Sequence, residues 1–588
     1  FAKFVNLLSH LANLAFPVKI FKFKQSRDIK IEWYDDKLRD MREHLLNLSS
    51  LHNILQTDET RKARHRYRKV SREKIKLTRI NNNKKFINTA KNKCKAMWTV
   101  INESRNNLGS NNSDSKQACD ISSDNFNDYF TNVAPCLIND LPTDCENPIQ
   151  LMSDNSKFMS LCSNNAFEFT EVSMVQVRDV INDLKNSNCK DVDNLNVNLI
   201  KTIRDLIISP LTKLVNLCIK ASVFPDCLKV AFVIPIHKKG NVNDPNNYRP
   251  ISILPVFSKI LEKLLYTQLG NFFENNQLFA DSQFGFRKGR STTDAALSLT
   301  NTILQCFEKH EFGVISLLDL TKAFDCVSHD ILLKKLHMYN ISPHSCSLLS
   351  SFLSGRHQLV KEGDSISGLL PIKIGVPQGS VLGPLLFLIF INDFPLYLQE
   401  NSILFADDTT IVSTGTNVNN VIHRHKETQS RAEAWFAANR LLLNKAKTVE
   451  MLFSLKEHDF HDDFDTTAKF LGLYIDNHLQ WNWHEEMTAK TICKNIFLLR
   501  NLSSKVPTDF LKNAYFALCQ SHFTYGLIVW GHSPIRHRFF NLQRKAVRII
   551  AGLGYREDCK EKFIELKILT LTTLYIFHCL IFIKKKIK

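Results

Sequence analysis

No C-x-x-C pair occurs among the fifteen cysteines scattered from Cys94 to Cys579. That absence argues against a zinc ribbon and a disulfide framework, and it fits a reducing compartment, nucleus or cytoplasm. Long apolar runs are missing too. The stretch Leu569 to Ile583 falls short of the ~20 residues a membrane span needs and includes Thr572, Thr573 and His578, so a packed helix and no membrane partner are expected. Val381 to Ile391 is shorter still, carries Gly383 and Pro384, and reads as a buried helix. There is no internal repeat. An initiating Met is lacking: the chain opens on Phe1 and stops just after Lys584 to Lys586, so it reads as a fragment of a longer open reading frame. Acidic residues nearly vanish from residues 61 to 95, where fifteen Lys and Arg face Glu73 alone, +14 of the chain's +18.

What is present begins with size. At 588 residues, 44% hydrophobic and 23% charged, the chain has room for roughly three to four globular units. The basic excess makes a polyanion the first partner to consider. Residues 1 to 100 look helical and charged, with Trp33 and Trp98 among few aromatics, and Lys62 and Arg66 put like charges four apart on one helix face. From Asn106 to Ser115 the composition turns to Asn, Ser, Gly and Asp, a linker signature. Beyond it, Met174, Val177, Ile181 and Leu184 recur at helical spacing, whereas Lys229 to Ile236, Gly313 to Leu318 and Ile403 to Phe405 are short apolar runs that read as strands. Strands alternating with helices predict a mixed α/β or α+β core.

Chemistry enters with the acids. Asp407 and Asp408 stand between the apolar runs 403–405 and 409–412, which reads as a β-hairpin with carboxylates at its tip. An Asp-Asp pair alone decides nothing, since a chain this long contains one or two by accident at Asp frequencies near ~5%. Tyr34-Asp35-Asp36 precedes a charged helical stretch, and Asp462-Asp463 also lacks flanking strands; both read as decoys. What sets 407 apart is a second apolar run, Val314 to Leu318, that ends on Asp319. Taken singly, Asp319 is read equally well as a cap after a strand. Together the three acids compose a metal site: carboxylates ~4 Å apart repel by about 4 kcal/mol at an effective dielectric of 20, so cations or protons must neutralise them. Oxygen-only ligands select Mg²⁺ or Mn²⁺, and two such ions are a known device for in-line phosphoryl transfer.

The segment Leu318-Asp319-Leu320-Thr321-Lys322-Ala323-Phe324-Asp325 resembles the first palm motif of reverse transcriptases of the jockey-like, non-long-terminal-repeat class, and Phe405 to Asp408 resembles their FADD motif. Gly375 to Pro384, between them, is similar to the intervening palm motif. Ala231 to Gly240, Asn247 to Ser252 and Gln283 to Arg287 are similar to fingers segments. Trp435-Phe436 with Asn439, Leu443-Asn444 and Lys447-Thr448, and then Phe470-Leu471-Gly472, look like the last two palm motifs. The likeness runs through Tyr525-Gly526, Trp530-Gly531 and Leu542-Gln543-Arg544, covering roughly residues 170 to 575. One departure is Asp193-Asn194, where relatives often carry glycine after the acid; Asn tolerates the left-handed turn.

The resemblance implies an α+β right-hand polymerase with fingers, a palm of antiparallel sheet plus helices, and a helical thumb. Its expected parts are a basic helical N-terminal extension (1–105), a polar linker with connecting helices (106–165), fingers and palm (166–490), and a thumb with C-terminal extension (491–588). It implies an RNA-directed DNA polymerase that copies retrotransposon RNA into DNA by target-primed reverse transcription, in a fragment without the family's endonuclease. Asp319, Asp407 and Asp408, with the backbone carbonyl of Leu320, would hold two Mg²⁺, or Mn²⁺. Arg249 would fork onto the triphosphate, with Lys238 or Lys239 adding a point charge. Phe324 would crowd a ribose 2′-hydroxyl and so favour deoxynucleotides. Gln378 with Gly379 would approach template base and sugar, and Lys447 would protonate the departing pyrophosphate. The lysines are read equally well as solvated charges, and Phe324 also reads as core. Arg61, Lys62, Arg64, Arg66, Arg68, Lys69 and Arg72, with His65 and Tyr67 for stacking, would hold template RNA through its phosphates; a nuclear-import signal is a compatible reading. The partners are then template RNA, a DNA primer or nicked target DNA, and deoxynucleoside triphosphates. A group II intron-type maturase, an RNA-copying RNA polymerase and a non-catalytic RNA-binding remnant stand as alternatives.

Overall fold

The structure, a computed structural model, describes residues 1–16, 34–106, 119–139, 141, 146–155, 158, 166–456 and 464–587. Trp33, Asp462-Asp463 and the linker from residue 107 to 115 lie outside the described residues. Helices and sheets mix throughout, as the alternation predicts. The chain gathers into two compact units, Phe1–Lys19 with Lys116–Ala468, and Ile20–Ser115 with Lys469–Lys588.

In the first unit the strands are β1 (Val230–His237), β2 (Tyr248–Ile253), β3 (Phe312–Leu318), β4 (Leu320–Thr321), β5 (Arg356–Glu362), β6 (Ser365–Ile366), β7 (Leu370–Ile372), β8 (Asn401–Phe405), β9 (Asp408–Gly415), β10 (Leu442–Leu443) and β11 (Val449–Phe453). One sheet runs β2-β1-β5-β6 with β7 on β5, and another runs β11-β3-β9-β8 with each pair antiparallel. Central β3 is buried on both faces, which explains a run that is apolar apart from Ser316 where a surface strand would alternate. The helix Val418–Ala438 covers it on one side, and its His425 lies buried between Ser316 Oγ (2.7 Å) on β3 and Ser413 Oγ (2.9 Å) on β9. Burial pushes that imidazole down to about 4, so it is neutral and ties helix to sheet. Gly383–Ile391 is the buried helix its composition predicts, with Leu385 to Ile391 enclosed. Below it Lys335 Nζ donates to Asp393 Oδ1 (2.6 Å) and to the Phe390 carbonyl (2.7 Å), while Trp435 Nε1 donates to the other Asp393 oxygen (3.0 Å). A buried charge pair is tolerable only when its remaining polar atoms are satisfied in this way.

Two N-terminal helices join this unit. In α1 (Ala2–Ala15) and its cap, Phe4 and Phe1 meet Phe257 edge-on at 5.5 and 6.3 Å. The helix Ser123–Asn139 packs on the first sheet: Phe126 meets Tyr248 at 4.8 Å, and the Asn127 amide donates to Ser367 Oγ (3.0 Å) and the Gly368 carbonyl (2.8 Å). Asn194 takes the left-handed conformation expected of it (φ 59°), while Asp191 caps the loop by accepting from Leu195 N and Val256 N.

In the second unit α2 (Asp36–Leu55) and α3 (Asp58–Thr89) form a helical hairpin, followed by α4 (Lys93–Asn106). Asp35 is no ligand here: its carboxylate accepts from Leu38 N (2.9 Å) as the N-cap of α2, and Asp36 pairs with Arg39, so this Asp-Asp pair is the decoy it looked. Downstream, Trp530 and Phe539 pack at 5.0 Å, and the buried Gln543 amide donates to Tyr515 Oη (3.0 Å) and the Leu569 carbonyl (2.9 Å). The last helix is Leu571–Ile587, and among the described residues no helix is long and apolar enough to cross a membrane.

Candidate active site

The β8–β9 hairpin closes with Phe405 opposite Asp408, leaving Ala406-Asp407 as a two-residue turn. Ala406 has φ 60° and Asp407 is not in the left-handed region, the φ pattern of a type II′ turn. The same β9 pairs with β3, Leu318 opposite Thr409, so the residue that follows β3, Asp319, emerges beside the hairpin tip. Strand register thus delivers all three predicted acids to one end of one sheet. Their mutual influence follows. Burial raises the Asp407 carboxyl above its ordinary range, Asp319 adding to the rise and Arg249 opposing it. Asp408 is pushed up to about 6, by desolvation first and then by Asp407 and Asp319.

Cations face this cluster. Lys447 Nζ lies 3.0 Å from Asp319 Oδ2, both groups in reach of solvent, and the Asp319 carbonyl accepts from Asn444 N (2.8 Å). The short pairing of β10 with β4, Leu443 opposite Leu320, holds the 443–448 segment there, with the Leu320 side chain buried. Arg249 projects from β2 and is close enough to oppose part of the rise at Asp407. Lys238 sits beyond β1; burial lowers its ammonium, with Arg249 and Lys447 adding to the fall and Asp325 and Asp319 opposing it. Lys239 is exposed at the start of the following loop.

Phe324 is half-buried, stacked on Phe387 at 4.5 Å and met edge-on by Phe286 at 6.2 Å. The loop Gly375–Gly379 lies against it. Val376 N donates to the Phe324 carbonyl (2.9 Å), and a Cβ on Gly375 would fall 2.5 Å from the Asp325 carbonyl oxygen, so only glycine fits. Gln378 is fixed at both ends: its carbonyl accepts from Ser252 N (2.8 Å), and its Nε2 donates to both Asp325 oxygens at 3.0 Å. Burial pushes Asp325 up to about 6, with the Gln378 bond opposing. Gly379, at φ 121°, lies against the Ser252 carbonyl. A cavity of about 50 Å³ opens beside Asp325, Gln378 and Pro250.

Three contributors were missed in the sequence. Asp325 fixes Gln378, Lys322 donates to Tyr129 Oη (2.9 Å), and the Gln283–Gly285 segment lies under the hairpin turn. All three sit inside segments already singled out, but their partners lie 53, 193 and 123 residues away. The predicted nucleic-acid residues belong to α3 in the second unit: Arg61, Lys62, Arg66, Arg68, Lys69 and Arg72 are exposed and Arg64 is half-buried. His65 is exposed, whereas Tyr67 packs edge-on against His44 of α2 at 4.5 Å.

Among the described residues no three His, Cys, Asp or Glu groups close into a coordination cluster. The donor chemistry nevertheless fits hard divalent ions: carboxylates whose charge the fold disfavours, at the ends of adjacent strands, with oxygen donors only.

Residues 236–475 match the family model described as reverse transcriptase (RNA-dependent DNA polymerase), so an acid-bearing sheet of this order belongs to a reverse transcriptase domain. The chain is 29% identical over 411 residues to the probable RNA-directed DNA polymerase from transposon BS of Drosophila melanogaster, covering 65% of this chain and 45% of that one. It is 27% identical to the RNA-directed DNA polymerases from mobile element jockey of Drosophila melanogaster (65% of this chain, 44% of the relative) and Drosophila funebris (68% and 46%). The chain spans less than half the length of these curated relatives. Within the reverse transcriptases it is similar in kind to the jockey-like enzymes of mobile elements that these relatives represent.

Proposed function

We propose that this chain copies template RNA into DNA by two-metal nucleotidyl transfer, from a DNA primer that in the cell is nicked target DNA. The observation that carries the reading is the convergence of Asp319 with Asp407 and Asp408 at one end of the β3–β9 pair. In this reading the β11-β3-β9-β8 sheet is the palm, the β2-β1-β5 sheet the fingers, and the helices after residue 490 the thumb. Asp319, Asp407, Asp408 and the Leu320 carbonyl would hold two Mg²⁺ or Mn²⁺. Such ions, when bound, activate a primer 3′-hydroxyl and neutralise the charge of the leaving pyrophosphate.

The chain's own groups supply the rest. Raised carboxyl pKa values mean that Asp407 and Asp408 gain from a cation what burial denies them. Arg249 binds the triphosphate through its planar fork, and Lys238 adds a second charge. Lys447, already beside Asp319, is a proton donor for the departing pyrophosphate. Phe324, braced by Phe387, crowds a ribose 2′-hydroxyl. Gln378, oriented by Asp325, sets the wall against which template base and sugar lie. The exposed cations of α3 hold template RNA by its phosphates, and we place the protein in nucleus and cytoplasm. Purified protein given a primed RNA homopolymer, Mg²⁺ and the matching deoxynucleotide should extend the primer, and Asp407→Asn should stop it. Extension that survives Asp407→Asn, or no extension by the unaltered chain, would refute the reading.

A further inference from the structure

The turn that carries Asp407 is held from outside its own sheet. β8 is the edge strand of the β11-β3-β9-β8 sheet, and residues 282–285 run parallel along its free side. Leu404 N donates to the Ser282 carbonyl (2.9 Å), and Phe284 N donates to the Leu404 carbonyl (2.8 Å). Between them Gln283, 2% exposed, turns its side chain to the hairpin tip. Its Oε1 accepts from Ala406 N at 3.0 Å and from Gly285 N at 2.8 Å. Two backbone donors fix which amide atom faces the turn, and Nε2 is buried without a partner among the described residues.

Fit is as tight as the bonding. A Cβ on Gly285 would come within 2.3 Å of Ala406 N, so backbone lies directly on backbone. The segment is itself anchored: Arg287 pairs with Glu274 at 2.8 Å and donates to the Ala280 carbonyl at 2.9 Å, which fastens it to the helix Val256–Asn275. Ala406 is a non-glycine residue in the left-handed region, a conformation that persists only where surroundings impose it. Its N–H belongs to no strand ladder, and a buried donor of that kind needs an acceptor.

We infer that Gln283 is a positioning residue for nucleotide addition: by accepting from Ala406 N it sets the height and angle at which the turn presents Asp407. This rests on the polymerase reading above, and the role concerns turnover, not binding of nucleic acid or nucleotide. Nothing in a Q-x-G sequence 124 residues before Asp407 states this connection.

The test compares Gln283→Met, which keeps volume and removes the acceptor, with Gln283→Glu, which keeps an acceptor oxygen. For each variant of the full chain, kcat, KM for the deoxynucleotide, primer–template Kd, the Mg²⁺ concentration at half-maximal rate and the melting temperature are measured. Gln283→Met should lower kcat by about 10²-fold, the cost of an ångström-scale misplacement. It should raise the Mg²⁺ requirement and leave KM and Kd within about threefold, the pattern of a transition-state loss. Gln283→Glu should recover most of kcat. Should the Met variant fail to fold, Gln283→Asn, which withdraws the acceptor by one methylene, is read in its place with the same expectations. Unchanged kcat in the acceptor-less variant, equal impairment of the Met and Glu variants, or a loss confined to KM or Kd overturns the inference. Asp407→Asn run alongside separates the two layers: an inactive Asp407→Asn with an unaffected Gln283→Met sinks this inference alone, whereas an active Asp407→Asn sinks the reading beneath it.

Discussion

The β3–β9 end and the α3 helix both concentrate charge, and they handle it in opposite ways. At the sheet end few charges are present and most are answered, Asp319 by Lys447, Asp407 by Arg249 and Asp325 by Gln378, while Asp408 faces only other acids. On α3 the charges are many and exposed, with Glu73 the one acid from residue 61 to 95. The first arrangement fixes atoms, and so suits chemistry. The second fixes only a field, and so suits holding a polyanion in any sequence. Local burial decides which kind of site a charged stretch becomes.

Breaking the first region should give the largest effects. Asp407→Asn should cut the extension rate by about 10³-fold or more, several kcal/mol of lost charge stabilisation at about 1.4 kcal/mol per tenfold, in a primer-extension assay. The second region should respond to salt instead. If about six phosphates are engaged, RNA affinity should fall roughly 10³-fold between 50 and 200 mM salt, and replacing Arg61, Lys62, Arg66 and Lys69 by Gln should flatten that slope with kcat at saturating template unchanged. A shallow slope in the unaltered protein would remove α3 from template binding.

Phe324→Ala should come next, relaxing discrimination against ribonucleotides by about 10²-fold, comparable with what a steric pocket can impose. Equal sugar preference in both proteins would return Phe324 to a purely packing role. The smallest effect concerns Asp325, whose carboxyl burial raises to about 6. A carboxyl raised in the folded state favours the protonated form there, so its contribution to stability is fullest below the unfolded pKa near 4 and is lost as pH rises to 6. Asp325→Asn should therefore lose less stability than the unaltered protein between pH 4 and 6, by up to about 3 kcal/mol at about 1.4 kcal/mol per unit. Parallel melting curves for the two proteins across that window would refute the assignment.

The strands and the three acids were legible because they are written locally: an apolar run ending on Asp319, and two runs flanking Asp407-Asp408. The decoy at Asp35-Asp36 was legible for the same reason, since a capping acid precedes a helical pattern. What stayed hidden depends on pairings that periodicity does not record. Gln283 reaches a turn more than a hundred residues on, and Asn127 reaches Ser367 across the first sheet from a segment read as connecting helices. Tyr67 looked available for stacking because a sequence does not show that His44 on the neighbouring helix meets its ring.

Lys447 gives the sheet end a counter-ion of its own. With its ammonium 3.0 Å from Asp319, and with burial already disfavouring charge on Asp407 and Asp408, the sheet end is partly relieved of like-charge repulsion by the chain's own groups. A chelated sample should keep its melting temperature and regain full activity on readdition of Mg²⁺. On the two-metal reading proposed above, the lysine is a built-in spare cation, a placeholder beside Asp319 until working ions arrive.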